Sequence, residues 1–212
     1  NGKDMRPSKL LKTADFSPLE IKEAVNIQLE EISQGFLSSL GMKPLMLIFN
    51  HAATSRFGIL VIAKESNKGH VIGYILGSID TFKFYKDFLR SKTVPSLLYF
   101  IPKIISLKRI KKALETLIYP IKNGHSKVNN SRAELLDMAV SSSYQSAGVG
   151  TELFKEFVKQ CADKGVKSFK IPTSESLKHA HSFYEKMGAK MADTIEIHKG
   201  ERTYIYIYSL EE

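Results

Sequence analysis

The spacing of apolar residues changes several times along this chain, and each change predicts the boundary of a helix or strand. Short runs that are apolar throughout, or at every second residue, are typical of strands, and apolar residues three or four positions apart are typical of helices. These patterns predict strands at 9–15, 57–63, 71–79, 134–140, 167–173, 189–198 and 203–210. They predict helices from Pro18, after Pro44, from Gly150 to about Gly165, and over 177–188.

The first helix and the first hairpin carry additional local signals. Ser17, Pro18 and Glu20 form the pattern of a capping box with proline at the first helical position, so a helix is predicted to start there. The turn at 67–69 joins two strands that are apolar on both faces, which predicts a hairpin in the middle of a covered sheet. The order of elements predicts an α/β (α+β) fold, with a mixed sheet and helices on both of its faces.

A strand, a glycine turn and the start of an amphipathic helix follow one another between Arg132 and Thr151. The helix continues to about Gly165. The first turn of a helix leaves backbone N–H groups unpaired and carries partial positive charge, and glycines let an anion approach that backbone closely. The turn is therefore predicted to bind phosphate. Its spacing matches neither the dinucleotide fingerprint nor the P-loop. The helix places Leu153, Phe154, Phe157, Val158 and Cys161 on one apolar face.

The pattern Gln145-x-x-Gly148-x-Gly150 resembles the acetyl-CoA pyrophosphate loop of the GNAT N-acetyltransferases. The resemblance implies a single GNAT domain over 1–212, with a mostly antiparallel sheet and a helical insertion at about 82–130. It also implies that the strands starting at Arg132 and Lys167 splay apart, with the pantetheine arm of the cofactor in the gap. Acetyl-CoA, as the acyl donor, would then contact Met138, Ala139, Val140, Gln145, Ser146, Ala147, Gly148, Val149, Gly150 and Thr151.

Glu134 is the candidate general base. The run from Ala133 to Val140 matches the frame in which histone-type GNAT enzymes carry a catalytic glutamate, and burial would raise the pKa of such a carboxylate toward working pH. The alternatives are a glutamate in solvent at the edge of the strand, or an ordered water as the base. Asp137 is a rival carboxylate, which in a regular strand faces the opposite side of the sheet unless a bulge intervenes.

Tyr184 is the candidate general acid, because it matches the tyrosine with which many GNAT enzymes protonate the CoA sulfur. A phenol can donate that proton at neutral pH. The alternative is an aromatic residue that only packs under its helix. The resemblance also implies that the Met138 N–H stabilises the tetrahedral oxyanion. Leu177 departs from the family pattern, which usually has asparagine at that position.

Composition narrows the class of protein further. The 212 residues are 43% hydrophobic and 25% charged, as in globular domains, and no apolar run has the length of a membrane span or a signal-peptide core. A single cysteine excludes a disulfide framework, and Cys161 is predicted to be a core thiol. We therefore expect a cytoplasmic protein. The six histidines show no metal-ligand spacing, so no metal is predicted.

The segment from Phe82 to Pro120 is strongly basic. It holds nine Lys or Arg residues and two acids, a net charge of +7 out of +9 for the whole chain. Three interpretations stay open: helices that cover the sheet, a lid whose cations attract an anionic acceptor, and a peripheral contact with an anionic membrane. Nucleic acid is not an expected partner, because the aromatic residues form no stacking platform. The sequence also leaves room for a homodimer.

The resemblance, together with these patterns, implies an acetyl-CoA-dependent N-acetyltransferase that acts on a primary amine of a small molecule by direct attack in a ternary complex. The identity of the amine stays open, and an acceptor on an anionic carrier would suit the basic insert. The alternative is a non-catalytic module that binds CoA, or that associates with a membrane surface through residues 82–120.

Overall fold

A seven-stranded sheet runs through the protein, whose computed structural model describes residues 9–32, 40–91, 131–198 and 201–210. The strands are β1 (Lys9–Lys12), β2 (Gly58–Glu65), β3 (Val71–Ser78), β4 (Ala133–Val140), β5 (Ser168–Ser174), β6 (Lys190–His198) and β7 (Glu201–Ser209). Their spatial order is β1-β2-β3-β4-β5-β7-β6, and every neighbouring pair is antiparallel except β4 and β5. The predicted class, a mixed and mostly antiparallel sheet, is confirmed.

Five α-helices lie within the described ranges, together with a 3-10 turn at Ser142–Tyr144. They are α1 (Pro18–Glu31), α2 (Met42–Thr54), α3 (Thr81–Arg90), α4 (Val149–Asp163) and α5 (Lys178–Lys186). Helix α2 begins two residues before Pro44, since the first turn of a helix tolerates a proline that has no N–H to offer. None of these helices is long and apolar enough to cross a membrane.

The predicted capping box at the start of α1 is present. The Ser17 hydroxyl accepts from the Glu20 N–H at 3.2 Å, and the Glu20 carboxylate accepts from the Ser17 N–H at 2.7 Å. The same carboxylate binds Lys12 at 2.8 Å and Lys64 at 2.6 Å. Burial alone would raise the pKa of Glu20, but these hydrogen bonds outweigh it and lower the pKa to about 2. One side chain thus ties the start of α1 to β1 and β2.

The sheet separates two apolar layers. Helices α1 and α2 cover one face, where Val25, Phe49 and Tyr74 are buried, and α4 covers the other face with Phe154 and Phe157. Strands β2 and β3 are buried almost throughout, which confirms the prediction of a covered hairpin. In the second layer Cys161 is fully buried, and burial raises the pKa of its thiol to about 12. Cys161 is therefore a core residue, as predicted.

Strands β4 and β5 pair only at their beginnings. The parallel ladder consists of Ala133 with Phe169 and Glu134 with Lys170, and no further residues of the two strands pair. Beyond Glu134, β4 keeps its antiparallel neighbour β3 but leaves its other edge open. The predicted splay is confirmed, and it creates a gap between the two strands.

A β-bulge interrupts β4 within this region. Leu76 pairs with Asp137 and Gly77 pairs with Leu135, so Leu136 is the additional residue. A Cβ on Gly77 would lie 2.4 Å from the Phe157 ring and 2.7 Å from the Glu134 carbonyl oxygen, so only glycine fits opposite the bulge. The side-chain alternation of β4 therefore shifts by one residue between its first and second halves.

Most of the basic insert lies outside the described residues. The predicted insertion at about 82–130 begins within α3, whose side chains Thr81 and Phe84 are buried, and residues 92–130 are not described. The predictions of covering helices, a lid and a membrane contact in that segment therefore stay predictions. The single-domain assignment also stays a prediction.

Candidate active site

The turn after β4 presents a row of main-chain amides. Ser146 and Gly148 adopt left-handed backbone conformations, with φ of 62° and 79°, and α4 starts at the next residue, Val149. The N–H groups of 148–151 donate to no group in the described ranges, and the first intrahelical bond runs from Glu152 to Gly148 at 3.2 Å. Unpaired amides at a helix N-terminus form a site that can bind a phosphate.

Two of the predicted cofactor residues are engaged within the protein. The Ala147 N–H points back to the Tyr144 carbonyl oxygen at 3.4 Å, and the Gln145 side-chain amide donates to the Val140 carbonyl oxygen at 3.1 Å. The first contact closes the turn on itself, and the second ties the turn to the end of β4. Gln145 therefore supports the shape of the turn.

Glu31, at the end of α1, also contacts the turn. Its carboxylate accepts from the Ser142 N–H at 2.7 Å and from the Gln145 amide at 3.4 Å. The pattern of the sequence gave no signal for this contact, because the two segments lie more than a hundred residues apart. It connects α1 to the turn that precedes α4.

Glu134 lies at the point where β4 and β5 diverge. Only 8% of the residue is exposed, so the alternative of a glutamate in solvent is wrong. Burial raises the pKa of its carboxyl to about 7, although the charge of Lys170 and a hydrogen bond from Thr81 act in the opposite direction. The Thr81 hydroxyl is 3.4 Å from Glu134 and 3.2 Å from the Arg132 carbonyl oxygen, and it has one proton for both. Glu134 is thus a weakly partnered carboxyl that titrates near neutral pH.

Asp137 faces the same side of the sheet as Glu134. The additional residue of the bulge, Leu136, shifts the side-chain alternation of β4 by one position between them. The Asp137 carboxylate accepts from the Tyr74 hydroxyl at 3.0 Å and from the Met138 N–H at 2.8 Å. Burial raises the pKa of Asp137 to about 7, and these bonds together with one from Gln28 offset part of the effect. A regular strand would have placed Asp137 on the other face.

The edge formed by Met138, Ala139 and Val140 borders the gap. All three residues pair with β3 on one side, and none of them pairs with β5. The Met138 N–H already donates to Asp137, so an oxyanion would have to compete with that carboxylate for it. Met138 also touches the turn, since a Cβ on Gly150 would lie 3.1 Å from its terminal methyl group.

Tyr184, in α5, is 8% exposed, and its ring packs near Phe154, Phe183 and Tyr206. Its hydroxyl makes no hydrogen bond within the described part of the chain. Burial, and then the charge of Asp137, raise the pKa of the Tyr184 phenol. The phenol therefore keeps its proton at neutral pH, which a general acid requires.

Tyr85, in α3, is a further member of the site that sequence reasoning missed. Burial raises the pKa of its phenol, and so do the charges of Glu134 and Asp137. Tyr85 packs in the same apolar layer as Tyr74 and Leu136. In the sequence Tyr85 stands next to Phe84 within the basic segment, and only this aromatic pair could have indicated a buried position. We call Glu134, Asp137, Tyr74, Tyr85 and Tyr184 the carboxylate–phenol cluster.

Other features of the described residues lie apart from this cluster. A cavity of about 390 Å³ lies between the starts of β4 and β5, where Arg132, Lys164 and Lys167 border it, at the opposite end of β4 from the glycine turn. Within the described ranges, no group of three or more His, Cys, Asp or Glu residues is arranged to hold a metal. His181 binds the Tyr206 hydroxyl and the Ser174 carbonyl oxygen, both at 3.0 Å.

The comparisons with known proteins agree with this geometry. Residues 26–189 match the family model of the acetyltransferase (GNAT) family, which is more than half of the chain. No curated protein matches the sequence significantly. The protein is a GNAT acetyltransferase by fold and by sequence, and it belongs to that family.

Solved structures from several sources share the fold. SsHAT superposes with a TM-score of 0.68 at 19% identity, over 97% of this chain and 100% of its own. An N-acetyltransferase from Staphylococcus aureus Mu50 gives 0.60 at 10% identity, over 96% and 99% of the two chains. Arabidopsis thaliana NAA60, in complex with acetyl-CoA, gives 0.58 at 13% identity over 96% and 99%.

Proposed function

We propose that this protein is an acetyl-CoA-dependent N-acetyltransferase that acts on a primary amine of a small molecule. The observation that carries the proposal is the position of Glu134, a buried carboxyl that titrates near neutral pH where β4 and β5 part. A base with that pKa is half ionised at physiological pH and matches the task of accepting a proton from an ammonium group.

The described residues fit the acyl donor at the end of β4 and in the turn that follows it. The amides of 148–151 suit the diphosphate, and the open edge at 138–140 suits the amide groups of the pantetheine arm. The acetyl-CoA complex of NAA60, which has the same fold, supports this assignment. Acetyl-CoA would bring the activated thioester to the gap.

The reaction is a direct transfer in a ternary complex. Glu134, directly or through a water, takes one proton from the ammonium, and the amine nitrogen attacks the thioester carbonyl carbon. The C–N bond forms and the C–S bond breaks, while Tyr184 gives its proton to the leaving thiolate. The second proton of the former ammonium returns to Tyr184, and Glu134 releases its proton to solvent. The products are the amide, CoA and one proton.

The competing function is a module that binds CoA without catalysis, or that associates with membranes through residues 82–120. Release of free CoA thiol from acetyl-CoA in the presence of a panel of amines separates the two. The enzyme releases thiol only with an amine, and mass spectrometry finds the acetylated amine in equal amount. Calorimetric binding of CoA without turnover of any amine would favour the non-catalytic module.

A further inference from the structure

We propose that Asp137 and Glu134 form an acceptor site for a diamine, in which Glu134 holds the nitrogen to be acetylated and Asp137 holds a second ammonium. This inference rests on the proposed function, because it names the acceptor of the same site. It differs from the expectation of an anionic acceptor, which was drawn from the charge of the insert and stays a prediction.

The bulge at Leu136 is the first observation behind the inference. Glu134 pairs with Ser78 and Asp137 pairs with Leu76, so the two carboxylates occupy positions two residues apart along β3. That ladder spacing separates their backbone positions by roughly 7 Å along the strand. Both side chains face the side of the sheet that carries Tyr74 and Tyr85.

The second observation is the lack of a cation near Asp137. The groups that act on its carboxyl are Tyr74, Gln28 and the Met138 N–H, and none of them carries a positive charge. Within the described ranges Asp137 makes no ion pair, and two cations, one in the first turn of α3 and one just before β4, are engaged elsewhere. Lys83 and Arg132 lie 3.3 Å and 3.9 Å from Asp80. A half-buried carboxylate without a cation is complementary to an ammonium ligand.

Lys170 is the one described cation that acts on Glu134. It keeps this carboxyl partly ionised, as a base must be, and it leaves Asp137 as the stronger site for a fixed positive charge. The two carboxylates therefore have different tasks, although they share one face of the strand.

The phenols of the cluster supply the third observation. The Tyr184 hydroxyl is nine-tenths buried and makes no hydrogen bond within the described part of the chain, and Asp137 lies close enough for its charge to act on this phenol. The Tyr85 hydroxyl is also without a described hydrogen-bond partner. Neutral phenol oxygens accept from ammonium N–H groups, and their rings attract cations.

The spacing of these two backbone positions predicts the length of the acceptor. An extended 1,4-diaminobutane separates its nitrogens by about 6 Å, from standard bond lengths. We therefore expect kcat/KM with 1,4-diaminobutane to exceed that with n-butylamine at least tenfold, and 4-aminobutyrate to be the poorest of the three. Shortening the diamine to 1,2-diaminoethane should remove the advantage, because one ammonium can no longer reach both carboxylates.

The variant Asp137→Asn tests the same preference for the diamine by changing the protein instead of the acceptor. It should reduce the ratio of kcat/KM for 1,4-diaminobutane to that for n-butylamine to about one. Asp163→Asn, at the exposed end of α4, makes the same change in net charge and should leave the ratio unchanged. The length series on the unmodified protein does not depend on the folding of either variant.

Calorimetric titration of 1,4-diaminobutane into the CoA-bound protein separates this inference from the proposed function. Binding of 1,4-diaminobutane that is weakened at least tenfold in Asp137→Asn supports the diamine site, whether or not any amine is acetylated. Absence of acetylation with every amine would overturn only the proposed function. Turnover of n-butylamine or 4-aminobutyrate without preference for the diamine would overturn the diamine site and leave the proposed function intact. Failure of 1,4-diaminobutane to bind at all would also overturn the diamine site.

Discussion

Glu134 and Lys170 face each other in the last parallel pair before β4 and β5 diverge. Burial raises the pKa of Glu134 to about 7, and the charge of Lys170 keeps it from rising further. This pair therefore sets the pH at which the proposed base becomes active.

Activity should rise with pH through about 7, because only the ionised form of Glu134 can accept a proton. In the variant Lys170→Met the midpoint of this rise should move to higher pH, since loss of the cation disfavours the carboxylate. The pH dependence of kcat/KM measures the midpoint. Lys190→Met, on the edge strand β6, is the control and should not move it. An unchanged profile in Lys170→Met would contradict the electrostatic role of the pair.

Glu134→Gln should lower kcat/KM by about 10² to 10⁴, the usual contribution of a general base. The amide keeps the size of the side chain but cannot take the proton, so CoA affinity should stay within a factor of about two. Thiol release gives the first quantity and calorimetry gives the second. Activity equal to that of the unmodified protein would point to an ordered water or to Asp137 as the base.

Tyr184→Phe should lower kcat by roughly 10² with little change in the KM for acetyl-CoA, because the hydroxyl protonates the leaving thiolate and does not hold the bound donor. The ring and its contacts with Phe154 stay in place, so the melting temperature should change little. Tyr204→Phe removes an exposed hydroxyl that binds Glu175 at 3.2 Å and serves as the control. Full activity in Tyr184→Phe would remove this tyrosine from the mechanism.

Gly148→Ala should raise the KM for acetyl-CoA at least tenfold. Gly148 has φ of 79°, and alanine in that conformation costs about 1 kcal/mol, so the turn would shift and its amides would lose their alignment. Gly165→Ala is a matched control, because its φ of 72° imposes a similar strain at the other end of α4. Both variants should lose similar stability, but only Gly148→Ala should lose affinity for CoA. Equal KM values would contradict the anion site.

Glu20 should stabilise the fold above pH 4.5, and this contribution should be lost as the pH falls toward 2. The reason is that the folded state holds the pKa of its carboxyl at about 2, below the ordinary value of 4.5, through Lys12 and Lys64. Glu20→Gln should therefore reduce the free energy of unfolding at pH 7 by about 2 kcal/mol. Urea unfolding of both proteins at pH 7 and at pH 3 measures this difference in the free energy of unfolding. A loss of the same size at both pH values would show that the charge of Glu20 is not responsible.

The sequence predicted the parts of this fold that depend on local patterns. The capping box at Ser17 and Glu20, the covered hairpin and the glycine turn at 145–150 each follow from residues close together in the chain. Such signals can be recognised in the sequence because the residues that form each cap or turn are close together in the chain.

The parts that could not be predicted depend on contacts between distant segments. The position of Asp137 follows from the bulge at Leu136, which depends on Gly77 of the neighbouring strand and on Phe157 behind it. Tyr85 joins the cluster only because α3 packs beside β4, and Glu31 reaches the turn only because α1 crosses the sheet. Periodicity treats β4 as regular, so it separates Glu134 from Asp137, and the fold brings them to one face.

The most direct test of the account is the transfer of an isotope-labelled acetyl group from acetyl-CoA to an amine, followed by mass spectrometry at pH 8. We predict one labelled amide for each CoA thiol released, with both products reduced at least a hundredfold in Glu134→Gln. Thiol release without a labelled amide, or equal labelling by Glu134→Gln, would contradict the central claim that Glu134 activates the amine.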